Sequence, residues 1–392
     1  DSGSLNSIKN FQEGYKTMNI ERFELEFWLN PLDDKAKYNF GSSCCKPVTV
    51  SEMLDLTGTD QEAFFREIES MSLHYGYFEG MPRLKQAIAG LYTQAVTPEM
   101  VLCVHGGTGA NSIVCQALCE PGNNVVCILP SYQQHYSIPE ALGCEVRIFN
   151  CGAGEEYSVD LNKVRAMVDQ NTKMICLTNP GNPTGYTFTK AELEELTDMA
   201  REAGAYIVSD EIYRGLSTEY MYSICDLYEK GIVTSSTSKV FSSAGTRVGW
   251  IVTRDLSIKD ALMNLRSYNS ICEGPINELI AAIILEKKEI FYERNRKIVE
   301  EAREILHQWL KGQPHLRLAC NSMGPTSYIY YDFDIPAQQF AEDLLARKDV
   351  LVCQGGCFQQ DKSFRIGYGF GDVEYFKSGL ARLGEYLAEL EQ

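Results

Sequence analysis

The feature that most constrains this chain is an alternation. Apolar runs of strand length recur from about residue 100 to 253, and helical patterns separate them. "MVLCVHGG" reads as a strand running into a glycine turn, and "SIVCQALCE" as a helix that stops at Pro121-Gly122. "NNVVCILP" and "TKMICLTNP" read as buried strands, "KAELEELTDMAREAGA" as an amphipathic helix, and "YIVSDEIY" as a strand ending in acid. "KGIVTSSTSK" and "VGWIVT" supply two more strands. These runs lack the period-two pattern of a half-exposed strand, so both faces must be covered. Strands alternating with helices predict an α/β fold on a mostly parallel, doubly wound sheet.

From about Ile276 the pattern changes. "INELIAAIILEKKEIFYERNRKIVEEAREILHQWLKG" is one long helical pattern with a single break. "TSYIYYDF", "QQFAEDLLARKDV", "SFRIGYGF" and the closing helix "VEYFKSGLARLGEYLAEL" follow, which predicts a smaller α+β domain. A chain of 392 residues is long enough for two lobes. The expected division is an N-terminal arm over 1–46, which joins the small domain or packs over the cleft, a large domain over 47–275 and a small domain over 276–392.

Charge and composition exclude several function classes. The formal charge of −17 repels nucleic acid and anionic lipid, so neither is an expected partner. No apolar run reaches membrane-spanning length, and no secretory leader is read. The fourteen cysteines are scattered without a CxxC pair, and the five histidines lack ligand spacing. They read as small buried residues in a reducing cytoplasm, and no metal is expected.

In an open α/β sheet, chemistry gathers at the carboxyl ends of the strands. "VHGGTGAN" places Gly106, Gly107 and Thr108 between a strand and a helix, as a tight turn or as a phosphate cradle of free N–H groups. "LTNPGNPTG" offers Asn182, a turn residue or a side-chain amide fixed beside a stiff proline. "VSDEIY" offers Asp210, a helix cap or the anionic partner of a buried cation, with Tyr213 three residues on. "TSSTSKVFSSAGTRVGW" sets Lys239 among Ser236 and Ser238, eight residues before Arg247. Alone it reads as a solvated loop, or as a phosphate anchor beside a reactive amine. Together the set matches one ligand, pyridoxal 5′-phosphate. That cofactor carries a phosphate, a ring nitrogen to be kept protonated, a phenolic oxygen and an aldehyde that a lysine can capture.

The sequence resembles a fold-type I pyridoxal-phosphate enzyme of the class I/II aminotransferase group. "YGYFEGMPRLKQAI", "GGTGAN", "PSYQQHY", "NPGNPTG", "SDEIY", "STSK…R" and "FRIGYG" occur in the family's order over nearly the whole chain. Spacing agrees: 28 residues from Asn182 to Asp210, 29 from Asp210 to Lys239, and 8 from Lys239 to Arg247. Each motif is unspecific alone; the seven in order are specific. The resemblance implies that Lys239 forms the Schiff base and shuttles the Cα proton, which requires part of its population to be neutral. It implies that Asp210 pairs with the pyridinium and that Asn182 and Tyr213 hold the phenolic oxygen. Ser236, Ser238, Arg247 and the amides of the Gly106-Gly107-Thr108 loop would hold the phosphate. Tyr132 would stack on the ring. Arg365 would clamp the substrate α-carboxylate, with Asn182 beside it. Tyr75 would reach the neighbouring subunit's phosphate, making the protein a homodimer with shared sites. Cis peptide bonds are implied at Leu129-Pro130 and Asn182-Pro183.

The reaction expected is transfer of an amino group from an α-amino acid to a 2-oxo acid. The alternative is a lyase or cyclase acting on an amino-acid side chain, because "ELEFWLNPLDDKAKYNFGSS" and "DVLVCQGGCFQQDKSFRIGYG" loosely resemble the capreomycidine synthase branch. A catalytically silent cofactor-binding regulator is disfavoured, since Lys239 is present and no basic patch is.

Overall fold

The computed structural model describes residues 20–93, 95–151 and 157–392. Seven strands form its central sheet: β1 (Val101–His105), β2 (Asn124–Leu129), β3 (Glu145–Asn150), β4 (Thr172–Thr178), β5 (Tyr206–Asp210), β6 (Gly231–Ser236) and β7 (Val248–Thr253). Their order is β1-β7-β6-β5-β4-β2-β3. β7 runs antiparallel to both neighbours, and every other pairing is parallel. β2, β5, β6 and β7 are buried along their whole length, which is why they read as unbroken runs. The sheet is the expected doubly wound α/β architecture.

Helix positions follow from local signals. α1 (Glu24–Leu29) lies in the N-terminal segment, and α2 (Gly106–Leu118) starts directly after β1. α3 (Lys190–Ala203) opens with a reciprocal Thr189–Glu192 capping box and closes at Gly204, whose φ of 71° suits a residue without Cβ. The long helical pattern after residue 275 is two helices, α4 (Pro275–Glu286) and α5 (Lys288–Leu310), with the break at Lys287. A second sheet follows, with β8 (Leu316–Leu318), β9 (Thr326–Tyr331), β10 (Cys353–Gln354) and β11 (Ser363–Gly367) in the antiparallel order β10-β11-β9-β8.

Residues 1–19 of the expected arm lie outside the described residues. The segment after them is fastened at several points. Gln133 accepts the Glu24 N–H at 2.9 Å and donates to the Arg22 carbonyl at 2.8 Å. Trp28 Nε1 donates to the Val352 carbonyl at 3.0 Å, and Tyr38–Asn39 pairs in parallel with Val350–Leu351. α1 is therefore tied both to the turn after β2 and to the chain just before β10.

The peptide bonds at Leu129-Pro130 and Asn182-Pro183 are cis, as the resemblance implied, and so is Asn179-Pro180. All fourteen cysteines are free, and all but Cys44, Cys272 and Cys320 are buried. Among the described residues, no helix is long and apolar enough to cross a membrane.

Candidate active site

The ends of β4 and β5, the turn after β6 and the start of α2 converge on a cavity of about 740 Å³. Gly107, Thr108, Tyr132, Asn182, Asp210, Tyr213, Ser238, Lys239, Arg247 and Arg365 all line it. These residues are spread over more than 250 positions of sequence, and the sheet brings them together because each lies at or after a strand end or, for Arg247, just before β7 and, for Arg365, on β11. Gly106 and Ser236 stand behind the lining. Ser236 Oγ accepts the Ser238 N–H at 3.1 Å and so shapes the turn that carries Lys239. Tyr75 is not in the cavity of its own chain; it is 63% exposed.

Lys239 Nζ is held from the N-terminal segment. It donates to Ser43 Oγ at 3.0 Å and to Cys44 Sγ at 3.4 Å. Burial works against its ammonium form. The facing Cys44 thiol and Tyr213 phenol outweigh that and raise its pKa above the ordinary lysine range, against the weaker opposing charge of Arg365. In this arrangement the neighbours of Lys239 favour its ammonium form.

Asp210 is buried at the end of β5. One carboxylate oxygen accepts Asn111 Nδ2 at 3.0 Å, and the other accepts the Ile212 N–H at 3.1 Å. Burial pushes its pKa up, while His135, Asn111, the Ile212 amide and Lys239 pull it back. His135 is fully buried with Nε2 4.0 Å from Asp210 Oδ2, and its Nδ1 meets Ser131 Oγ at 3.0 Å. Asn111 and His135 belong to the site although neither was singled out from sequence as a ligand-binding residue. A signal existed for Asn111: it is four residues after Gly107 on a helix, hence on the same face.

Arg365 is 1% exposed, yet its partners are neutral. Nη1 donates to Asn182 Oδ1 at 2.8 Å and Nη2 to the Gly41 carbonyl at 2.5 Å, while Nε has no partner. Among the described residues no carboxylate pairs with it. A buried, permanently charged guanidinium without a counter-ion is costly unless a ligand anion completes it.

At the start of α2, the Gly106 φ of 68° favours glycine, and the Arg247 guanidinium approaches it closely. An added Cβ would lie 2.6 Å from Arg247 Nη2. The first-turn N–H groups of α2 and the Arg247 guanidinium therefore meet at one spot, which favours an anion. β7 closes the cradle from behind, since a Cβ at Gly249 would lie 2.3 Å from the Gly106 carbonyl carbon. Gly249→Ala must shift backbone, so it is expected to weaken retention of a phosphate ligand by at least about tenfold. Gly245→Ala, whose Cβ meets nothing within 4 Å, is its control and should retain the ligand like the native chain. Equal dissociation constants for the two variants would show that this contact does not set the cradle.

The donor set fits pyridoxal phosphate: an anion cradle, a buried carboxylate, an amide, a phenol and a lysine amine around one cavity. Comparisons with known proteins agree. The family model described as aminotransferase class I and II matches residues 49–383. A pyridoxal-phosphate-dependent aminotransferase from Streptococcus suis 89-1591 superposes with a TM-score of 0.92 at 36% identity, over 95% of this chain and 99% of that one. The capreomycidine synthase of Streptomyces vinaceus is 26% identical over 374 residues, 93% of each chain. The aspartate aminotransferase of Thermotoga maritima is 23% identical over 325 residues, 80% of this chain and 82% of its own.

Proposed function

The chain belongs to the class I and II aminotransferase family, whose members use pyridoxal phosphate, and we propose from this premise that it moves the amino group of an α-amino acid to a 2-oxo acid. One observation carries the reading: a buried Arg365 with no carboxylate partner among the described residues shares a cavity with Lys239 and Asp210. An α-amino acid brings the missing carboxylate.

Bound there, pyridoxal phosphate supplies a ring that withdraws electrons from the substrate's Cα. The chain's residues do the rest. Gly107, Thr108, Ser238 and Arg247 hold the phosphate, with Gly106 and Ser236 shaping the loops that carry them. Asp210, oriented by Asn111 and His135, holds the proton on the ring nitrogen. Asn182 and Tyr213 meet the phenolic oxygen, and Tyr132 covers a ring face. Lys239 Nζ is the covalent anchor and the base for the Cα proton. Asn182, already bonded to Arg365, ties substrate binding to cofactor position.

The division into an arm (1–46), a cofactor-binding lobe (47–275) and a small lobe (276–392) is part of this proposal. So is a cytoplasmic homodimer. Leu73, Tyr75, Tyr77, Phe78 and Tyr268 are exposed, and Arg266 joins their two stretches by donating to the Phe78 and Ile271 carbonyls. An exposed apolar patch of this kind suits a subunit interface that carries Tyr75 to the partner's phosphate.

The second reading, a lyase or cyclase, is favoured by the near full-length match to capreomycidine synthase. Incubation with the twenty amino acids plus 2-oxoglutarate or pyruvate separates the two. Oxo acid formed without ammonia supports transamination; ammonia with pyruvate, or a cyclised amino acid, supports the alternative. Arg365→Lys is expected to cut kcat/KM for amino acids by about 10²–10³ and to raise the share of side reaction. Lysine keeps the charge but loses the two-pronged grip that fixes the substrate plane. Unchanged amino-acid turnover in Arg365→Lys would remove the carboxylate clamp and the α-amino-acid reading with it.

A further inference from the structure

The same cavity has a wall that the proposed chemistry does not use. α1 and the turn after it contribute Phe23, Leu25, Glu26, Leu29, Asn30 and Asp33 to the lining. Two of these are carboxylates. Glu26 Oε1 accepts the Tyr132 hydroxyl at 3.1 Å, which places it beside the residue proposed to cover the ring. Asp33 Oδ1 accepts Asn39 Nδ2 at 2.7 Å. Neither Glu26 nor Asp33 forms an ion pair among the described residues, although both line the cavity.

The charges of the cavity sort by task. Its cations are Lys239, Arg247 and Arg365, and its anions are Asp210, Glu26 and Asp33. Under the proposed function, Lys239, Arg247 and Asp210 serve the cofactor and Arg365 serves the α-carboxylate. Glu26 and Asp33 remain. Among the described residues, no further cation lines the cavity for a second carboxylate. The aromatic faces of Phe23 and Tyr132, 5.1 Å apart between centroids, sit with Glu26 and also suit a cation. The wall is held firmly, because Gln133 and Val352 fasten α1 from both sides.

We infer that Glu26, supported by Asp33, is the specificity-determining residue for the donor's side chain, and that the donor is an α-amino acid with a cationic side chain, an amine or a guanidinium. This rests on the aminotransferase reading and names its substrate class. The Arg365 guanidinium, buried with Nε unpartnered, takes one end of such a molecule. The Glu26 carboxylate takes the other, where a hydrogen bond between charged groups separates a cation from an isosteric neutral chain by about 10- to 100-fold.

The test uses the holoenzyme in single turnover with lysine, ornithine and arginine against norleucine and glutamate. Loss of cofactor absorbance gives the rate, and the concentration dependence gives the apparent Kd. The native chain is expected to prefer the cationic donors over norleucine by at least about tenfold, chiefly in Kd, and to react least with glutamate. Glu26→Gln should shrink the lysine-to-norleucine ratio by at least about tenfold. Asp33→Asn, at the exposed mouth, should shrink it less, and is the variant to read if Glu26→Gln fails to fold. A native preference for norleucine or glutamate would overturn the inference. So would a ratio that neither substitution moves, and in both cases transamination itself would stand. If no amino acid changed the cofactor absorbance, the aminotransferase reading would fall, and this inference with it.

Discussion

Lys239→Ala is expected to bind pyridoxal phosphate only noncovalently and to lose turnover by at least about 10⁵-fold. Two contributions disappear together: the covalent anchor and the base for the Cα proton. General base catalysis alone is worth about 10²–10⁴, and correct placement of the reacting groups adds to it. Among the described residues Lys239 is the one lysine lining the cavity, Ser43 and Cys44 position its Nζ, and no other described amine stands there to substitute. The readouts are the visible absorbance of the lysine–cofactor imine and the adduct left by borohydride. A Lys239→Ala protein that still gave a borohydride-reducible adduct would remove Lys239 from its role.

Asp210→Asn is expected to keep some cofactor and to lose turnover by at least about 10³-fold, equivalent to about 4 kcal/mol of barrier. The carboxylate is buried, and its bonds from Asn111 and the Ile212 amide leave it oriented into the cavity. In such a site an anion stabilises a protonated ring far more than it would in water. Burial alone raises the Asp210 pKa; the nearby His135, Asn111 and Lys239 oppose that rise, and a bound pyridinium would oppose it further. Asparagine preserves the shape and loses the charge, so the variant isolates the electrostatic effect. Near-native turnover would exclude the pyridinium role.

The parts of the site that were legible are those announced by strand ends. Lys239, Asp210 and Asn182 each follow a buried run, and strands covered on both faces leave a clear apolar signature. β3 did not leave one. It is an edge strand with Glu145, Arg147 and Asn150 partly or fully exposed, so its pattern resembles a loop. The groups on Lys239 were hidden for another reason. Ser43 and Cys44 come from the N-terminal segment, 196 and 195 positions away, and no local periodicity reports a contact at that range. Glu26 was equally silent, since its meaning depends on Tyr132 and on the cavity both share. Tyr75 stands apart for a third reason: its proposed partner lies on another subunit.

The most direct test of the central claim is to reduce the native holoenzyme with borohydride, digest it and locate the modified lysine by mass spectrometry. The account predicts one pyridoxyl group per chain, on Lys239. Modification at any other lysine, or no modification in a protein that retains the cofactor, would contradict it.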